Sequence, residues 1–177
     1  MNILFHTTTA FTAAVILSDT KKVSKGKKIV NTLIIGILAF ILGVISHGAL
    51  DYIPHCYPLN AKIDSITSII LMLSVLILLK PGFRIIVGLA FVGGVFPDLV
   101  DLLPSIFNKY LGVNLPIFGK FFPWHWPQYS GSMSNENCTI STINISLLLL
   151  VSVIICYSRR DDLLNMFKRK SVDRNTD

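Results

Sequence analysis

From Ile29 to Leu50 the chain reads IVNTLIIGILAFILGVISHGAL, with His47 as its one ionisable residue. A helix needs about 20 apolar residues to cross a hydrocarbon core of ~30 Å. Inside that core every backbone N–H and C=O must be paired within the segment, which leaves a helix as the one structure for such a run. The pattern recurs at residues 63–79, 85–103 and 138–157, with Pro97 interrupting the second of these. Residues 3–18 form a further apolar block, short for a span and open to a re-entrant reading. The expected fold is an all-α, multi-span membrane helical bundle of about five segments. Residues 1–157 make one membrane domain, and 158–177 a polar cytoplasmic tail, extended or frayed.

A mean hydropathy of +0.63 with 15% charged residues excludes a disordered chain and is high for a soluble domain. A net charge of +6 raises the question of nucleic acid. The placement of the charge answers it: Lys and Arg sit in short clusters beside the apolar runs, as topology signals do. KKVSKGKK (21–28), KPGFR (80–84) and the tail hold 13 of the 16 basic residues. With these three on the cytoplasmic side, the N-terminus lies outside and the C-terminus in the cytoplasm of the cell (inner) membrane. The expected partners are membrane lipids, not nucleic acid. The loop over 104–137 is rich in aromatics, which favour the membrane–water interface.

This arrangement brings His6, His47, Asp51, His55, Asp98, Asp101 and His125 to the outer side. In SHGALDYIPH (46–55), His47 and Asp51 are four apart and share one helix face, continued backwards by the small residues Gly43 and Ala39. In GGVFPDLVD (93–101), Asp98 and Asp101 again share a face, and Pro97 kinks the helix there. The two stretches echo one another weakly, pairing Gly43 with Gly93 and Asp51 with Asp101. Ionisable residues in apolar membrane helices mark functional sites by default. His6, His47, Asp51 and Asp98 are the candidate ligands of a divalent transition metal, zinc by preference, with His55 a further candidate beyond Pro54. Asp101 and His125, the latter in PWHWP (123–127), are the candidate proton carriers. Cys56 and Cys138 both fall outside and are free to pair. Asp64 is expected to cap or begin its helix. There is no P-loop, dinucleotide fingerprint or nucleophile elbow.

At these residues the sequence resembles the bacterial membrane-bound, metal-dependent hydrolases, which are similar in turn to zinc-dependent phospholipase C. That family shows an early His in the first helix, a G-x-x-x-PD-x-D element, and an S-H-x-x-x-D helix near a Pro. Here these would be His6, GGVFPDLVD and SHGALDYIP. This chain lacks the family's His after the PD element and its HRG-x-THS stretch, for which His55 and His125 are the candidate replacements. Its S-H-x-x-x-D helix also precedes the PD element, where in the family it follows. The resemblance implies a hydrolase acting on a phosphoester or lipid-like substrate. A small ion or proton transporter would carry its ionisable groups at mid-span. A non-catalytic accessory protein would leave the His and Asp side chains pointing in unrelated directions.

Overall fold

The computed structural model describes residues 1–19, 28–117, 119–133 and 138–167. Among these, every regular element is helical: α1 (Ile3–Leu17), α2 (Lys28–Tyr52), α3 (Ala61–Leu78), α4 (Pro81–Leu111), a 3-10 turn (Pro123–His125), α5 (Thr139–Ser158) and α6 (Arg160–Phe167). Four helices are long and apolar enough to cross a membrane, over 30–52, 61–78, 81–109 and 139–158. The basic cluster at 21–27 and the end of the tail at 168–177 lie outside the described residues.

Burial runs opposite to that of a water-soluble bundle. The buried residues of α3 are Asp64 and Ser68, and those of α5 are Ser141 and Ser152. Their isoleucines and leucines, such as Ile66, Ile77, Leu147 and Ile154, face outward. Small polar groups inside and branched apolar groups outside are what a lipid solvent selects.

The centre of the molecule is the contact between α2 and α4, with α1 wedged against both. A buried core of Ala10, Ala14, Val15, Ala39, Ile86, Val87 and Ala90 joins the three. The backbones meet at glycines. A Cβ on Gly43 would stand 2.6 Å from Ala90 O and 2.7 Å from Gly94 N, and one on Gly93 would overlap Phe40 O. The weak sequence echo thus pairs two glycines that touch. At 15 residues, α1 is about 22 Å long and too short to cross by itself. Three of its four threonines are satisfied within the helix: Thr8, Thr9 and Thr12 donate to the Leu4, Phe5 and Thr8 carbonyls at 2.8, 2.6 and 2.9 Å, while the buried Thr7 Oγ1 makes no such bond.

Three expectations need correction. The third apolar block does not end at 103. The helix runs through Pro97 and Pro104 to Leu111 and stops at Gly112, whose φ of 64° is the left-handed cap conformation. A proline interrupts one bond of the ladder without ending a helix held by neighbours on both sides. The start of the tail is not frayed: α6 buries Met166 in the core, and Lys80 N donates to Met166 O at 3.0 Å. Asp64 lies in the first turn of α3 but caps α1, accepting from Ile3 N at 2.7 Å and Leu4 N at 3.0 Å. Asn60 caps α3, accepting from Lys62 N at 3.0 Å.

Backbone packed on backbone cannot yield to an added methyl. Gly93→Ala is therefore expected to cost about 1–3 kcal/mol or more. Gly88→Ala, whose nearest neighbour would be Leu76 Cδ2 at 3.8 Å, is expected to be near neutral. Thermal unfolding of the two variants in detergent checks the difference.

Candidate metal centre

Four side chains from three places in the sequence converge where α2, α4 and the 3-10 turn meet. His47, Asp51, Asp98 and His125 each offer one donor atom, and these atoms lie within 4.8 Å of one another. His47 Nε2 is 3.2 Å from Asp51 Oδ2, 3.3 Å from His125 Nε2 and 3.7 Å from Asp98 Oδ1. His125 Nε2 is 3.3 Å from Asp51 Oδ2 and 3.4 Å from Asp98 Oδ1. Four N and O ligands at about 2.0–2.1 Å from a tetrahedral ion stand about 3.3–3.4 Å apart along each edge. Five separations in this group fall close to that spacing, so the cluster could hold a metal ion.

The outer contacts aim the donors. His47 Nδ1 donates to Gly94 O at 2.7 Å, which leaves its Nε2 for the cluster. The close α2–α4 approach puts the Gly94 carbonyl within reach of the imidazole, as a second acceptor contact on that oxygen. His125 Nδ1 donates to Asp101 Oδ2 at 2.7 Å. Asp101 is itself held by Phe121 N at 2.8 Å and Phe122 N at 3.1 Å. Histidines that ligate metals characteristically donate the other ring N–H to a carboxylate or a carbonyl, as both do here. His47 is fully buried and His125 is 8% exposed. Two imidazole lone pairs facing two carboxylates in such a setting require a cation or a proton among them.

The loop that carries His125 is seated by small residues. A Cβ on Gly48 would press to 2.8 Å against the Trp124 ring, and Gly131 N donates to Asp51 O at 2.7 Å. Between Cys56 and Cys138 there is a disulfide with Cα atoms 5.9 Å apart, tying the chain after α2 to the start of α5. Cys56 N donates to Ser141 Oγ at 2.8 Å beside it.

The other sequence candidates take flanking places. His6 stacks on His47 with ring centroids 3.9 Å apart, and its Nε2 is 3.2 Å from Asp51 Oδ1. That approach does not complete a hydrogen bond, and both His6 ring nitrogens are buried without one. His6 thus borders the four donors from the far oxygen of Asp51. His55 stands apart from the donor group: its Nδ1 donates to Ile53 O at 2.9 Å, and its Nε2 is 2.8 Å from the Met1 nitrogen. Burial lowers its pKa. The two proton-carrier candidates are neighbours. His125 supplies a donor, and Asp101 lies behind it with both oxygens engaged. Asp98, not Asp101, is the α4 counterpart of Asp51: its Oδ1 is 3.7 Å from His47 Nε2 and 3.4 Å from His125 Nε2. PWHWP signalled an interfacial anchor; nothing in its spacing announced that it folds back over α2. Lys120, whose Nζ donates to His125 O at 2.8 Å, carried no sequence signal.

No family model, curated protein or solved structure matches this chain.

Without a metal, His125 holds a proton. Burial pushes its pKa down, but hydrogen bonds to Asp51, Asp98 and Asp101 outweigh that and raise it from 6.5 to about 10. A folded pKa above the unfolded value stabilises fully below about 6.5, and that stabilisation is lost as pH rises through about 10. The metal-free protein is expected to melt at progressively lower temperature across this window. A cation must displace the same proton, so zinc affinity is expected to climb about tenfold per pH unit there. Calorimetric titration in buffers of different ionisation enthalpy reads the released proton.

Proposed function

We propose that this chain is a membrane-embedded, metal-dependent hydrolase acting on a phosphoester or lipid-like substrate at the outer membrane face. The observation that carries this reading is the four-donor cluster, with both imidazoles pre-aimed by bonds from Nδ1. His47, Asp51, Asp98 and His125 would hold a divalent transition metal of the zinc class, with His6 bordering it. Such an ion lowers the pKa of water toward ~7 and polarises an ester or phosphoryl oxygen. Asp101 would act through His125, fixing its tautomer and orientation. Asp51, Asp98 and His125 also line a cavity of about 590 Å³ that reaches the surface, so a substrate has a way in. The size is ordinary for a ligand site.

Convergence of the side chains favours this reading over a non-catalytic accessory protein, in which they would have no reason to meet. Their position at one end of the bundle favours it over a transporter. The outward orientation of that end draws on two independent features. One is the cytoplasmic preference of the basic clusters. The other is the Cys56–Cys138 disulfide at the same end, since disulfides persist in oxidising compartments.

Metal analysis of detergent-purified protein is expected to find about one zinc-class ion per chain, absent in His47→Ala and Asp98→Ala. Asp101→Asn is expected to weaken metal binding by about 10–100-fold without abolishing it. Hydrolysis of p-nitrophenyl phosphate and bis(p-nitrophenyl) phosphate should follow metal content across the set. A wild-type protein that takes up no transition metal would overturn the proposal. In intact cells, an impermeant maleimide is expected to label Cys56 and Cys138 after reduction and to leave Cys156 unlabelled; the reverse pattern would place the site on the cytoplasmic side.

A further inference from the structure

The first four residues are bonded to the end of the bundle that carries the cluster. Asn2 pairs with Leu59 in both directions, its Nδ2 donating to Leu59 O at 3.2 Å and its Oδ1 accepting from Leu59 N at 3.4 Å. The N–H groups of Ile3 and Leu4 are taken by Asp64. The Met1 side chain packs with Phe5 and Leu50. A chain end is ordinarily among the least ordered parts of a domain. Here Met1 is 5% and Asn2 3% exposed.

Two acceptors face the Met1 nitrogen. Its ammonium donates to Asp51 Oδ1, and His55 Nε2 lies 2.8 Å away. His55 is fully buried, and its Nδ1 proton goes to Ile53 O, so Nε2 presents a lone pair. The His55 backbone is fixed on both sides, its N–H bonded to Gly131 O and its carbonyl to Met133 N, each at 2.9 Å. A buried carboxylate oxygen and a buried imidazole lone pair make a site for one cationic nitrogen. The other oxygen of Asp51 belongs to the donor group: Oδ2 is 3.2 Å from His47 Nε2 and 3.3 Å from His125 Nε2. His6 Nε2 comes to 3.2 Å of Oδ1 without completing a bond. The ammonium thus holds Asp51 by the oxygen that the histidines of the donor group leave free.

We infer that the site between Asp51 Oδ1 and His55 Nε2 takes the uncapped amino group of Met1, and that an acyl cap on this group disables the cluster. For the ammonium the inference stands on its own geometry; for the metal it rests on the proposed function. Carboxylates that ligate metals are themselves held by hydrogen bonds, and losing such a partner weakens the site. A formyl or acetyl group turns the ammonium, with its charge and three N–H donors, into a neutral amide with one. That amide can serve Asp51 or His55 but not both. Met1 also lines the 590 Å³ cavity beside Asp51, Asp98 and His125, so the added acyl atoms take space there. A residue placed ahead of Met1 has the same two effects. A chain begun at Asn2 has its nitrogen one Cα step of about 3.8 Å away. Freeing a formyl terminus is an amide hydrolysis: water adds to the formyl carbon, the C–N bond breaks, formate leaves, and the ammonium stays on Met1.

The test makes the full chain by cell-free synthesis into nanodiscs with a formylated initiator, peptide deformylase being either added or inhibited. Intact mass identifies each product. Zinc affinity is read by competition with a chromogenic chelator, and stability by thermal melting. The free-amine chain is expected to bind zinc about 10–100-fold tighter than the formyl chain. Deformylase added to the purified formyl chain should restore the affinity. A chain extended ahead of Met1 should behave as the formyl chain does, although it carries an amine of its own. Equal affinity in free and formyl chains, or a formyl chain that deformylation leaves unchanged, would overturn the inference. So would a cell-expressed protein whose mass shows a cap or residues ahead of Met1. If neither chain holds zinc, the metal reading falls and melting decides. The formyl chain is then expected to melt about 4 °C or more below the free one, since a buried pair has lost a partner; equal melting would leave nothing of the inference.

Discussion

The closest approach of two backbones, α2 against α4, is the constraint on which the rest of the molecule depends. It is possible because Gly43 and Gly93 present no side chain where the helices cross, while Gly94 leaves the same room for α1 at Ala10 and His6. In a lipid solvent helices gain little from hiding leucine from leucine, and close van der Waals packing does the work. The same approach sets the chemistry. It brings His47 within 2.7 Å of the Gly94 carbonyl and puts Asp51 and Asp98 on opposite sides of one small space. A methyl group at the crossing would separate the helices and open the donor set.

The polar cluster and the packing oppose each other energetically. Two carboxylates and two histidines in a buried setting are unfavourable unless something positive neutralises them. The metal-free molecule meets this need with a proton on His125, held by three carboxylates, and with the Met1 ammonium, which donates to Asp51 Oδ1. A bound cation would meet it with four bonds. Packing at the glycines and the covalent tie from Cys56 to Cys138 hold the end of the bundle together in either state. The loop from Lys120 to Gly131 closes the site because its own backbone is satisfied locally and at Asp51 and Asp101.

Much of this was legible in the chain, and the reason is periodicity. Apolar blocks of membrane length announce their helices whatever packs beside them, and helix spacing alone puts His47 with Asp51. The expected grouping of His, Asp and a membrane face followed from the alternation of basic clusters. Asp98 over Asp101 was less legible, because the two share a helix face and the choice depends on how α4 is rotated against α2. His125 was legible as a replacement for a missing metal-site His; that it, and not His55, joins the donors, and that Lys120 reaches the cavity, was not. Both depend on where a loop with no period lands.

Sequence by itself determined that this chain is helical and membrane-embedded, and that its imidazoles and carboxylates gather toward one end of the spans. Local patterns suffice for that, since a helix in lipid satisfies its own backbone. Which of those groups face one another was decided only in three dimensions. The four donors come from residues 47, 51, 98 and 125. Distances among them are set by the glycine crossing and the docking of the Trp124 loop on Gly48, contacts between segments that are remote in the chain.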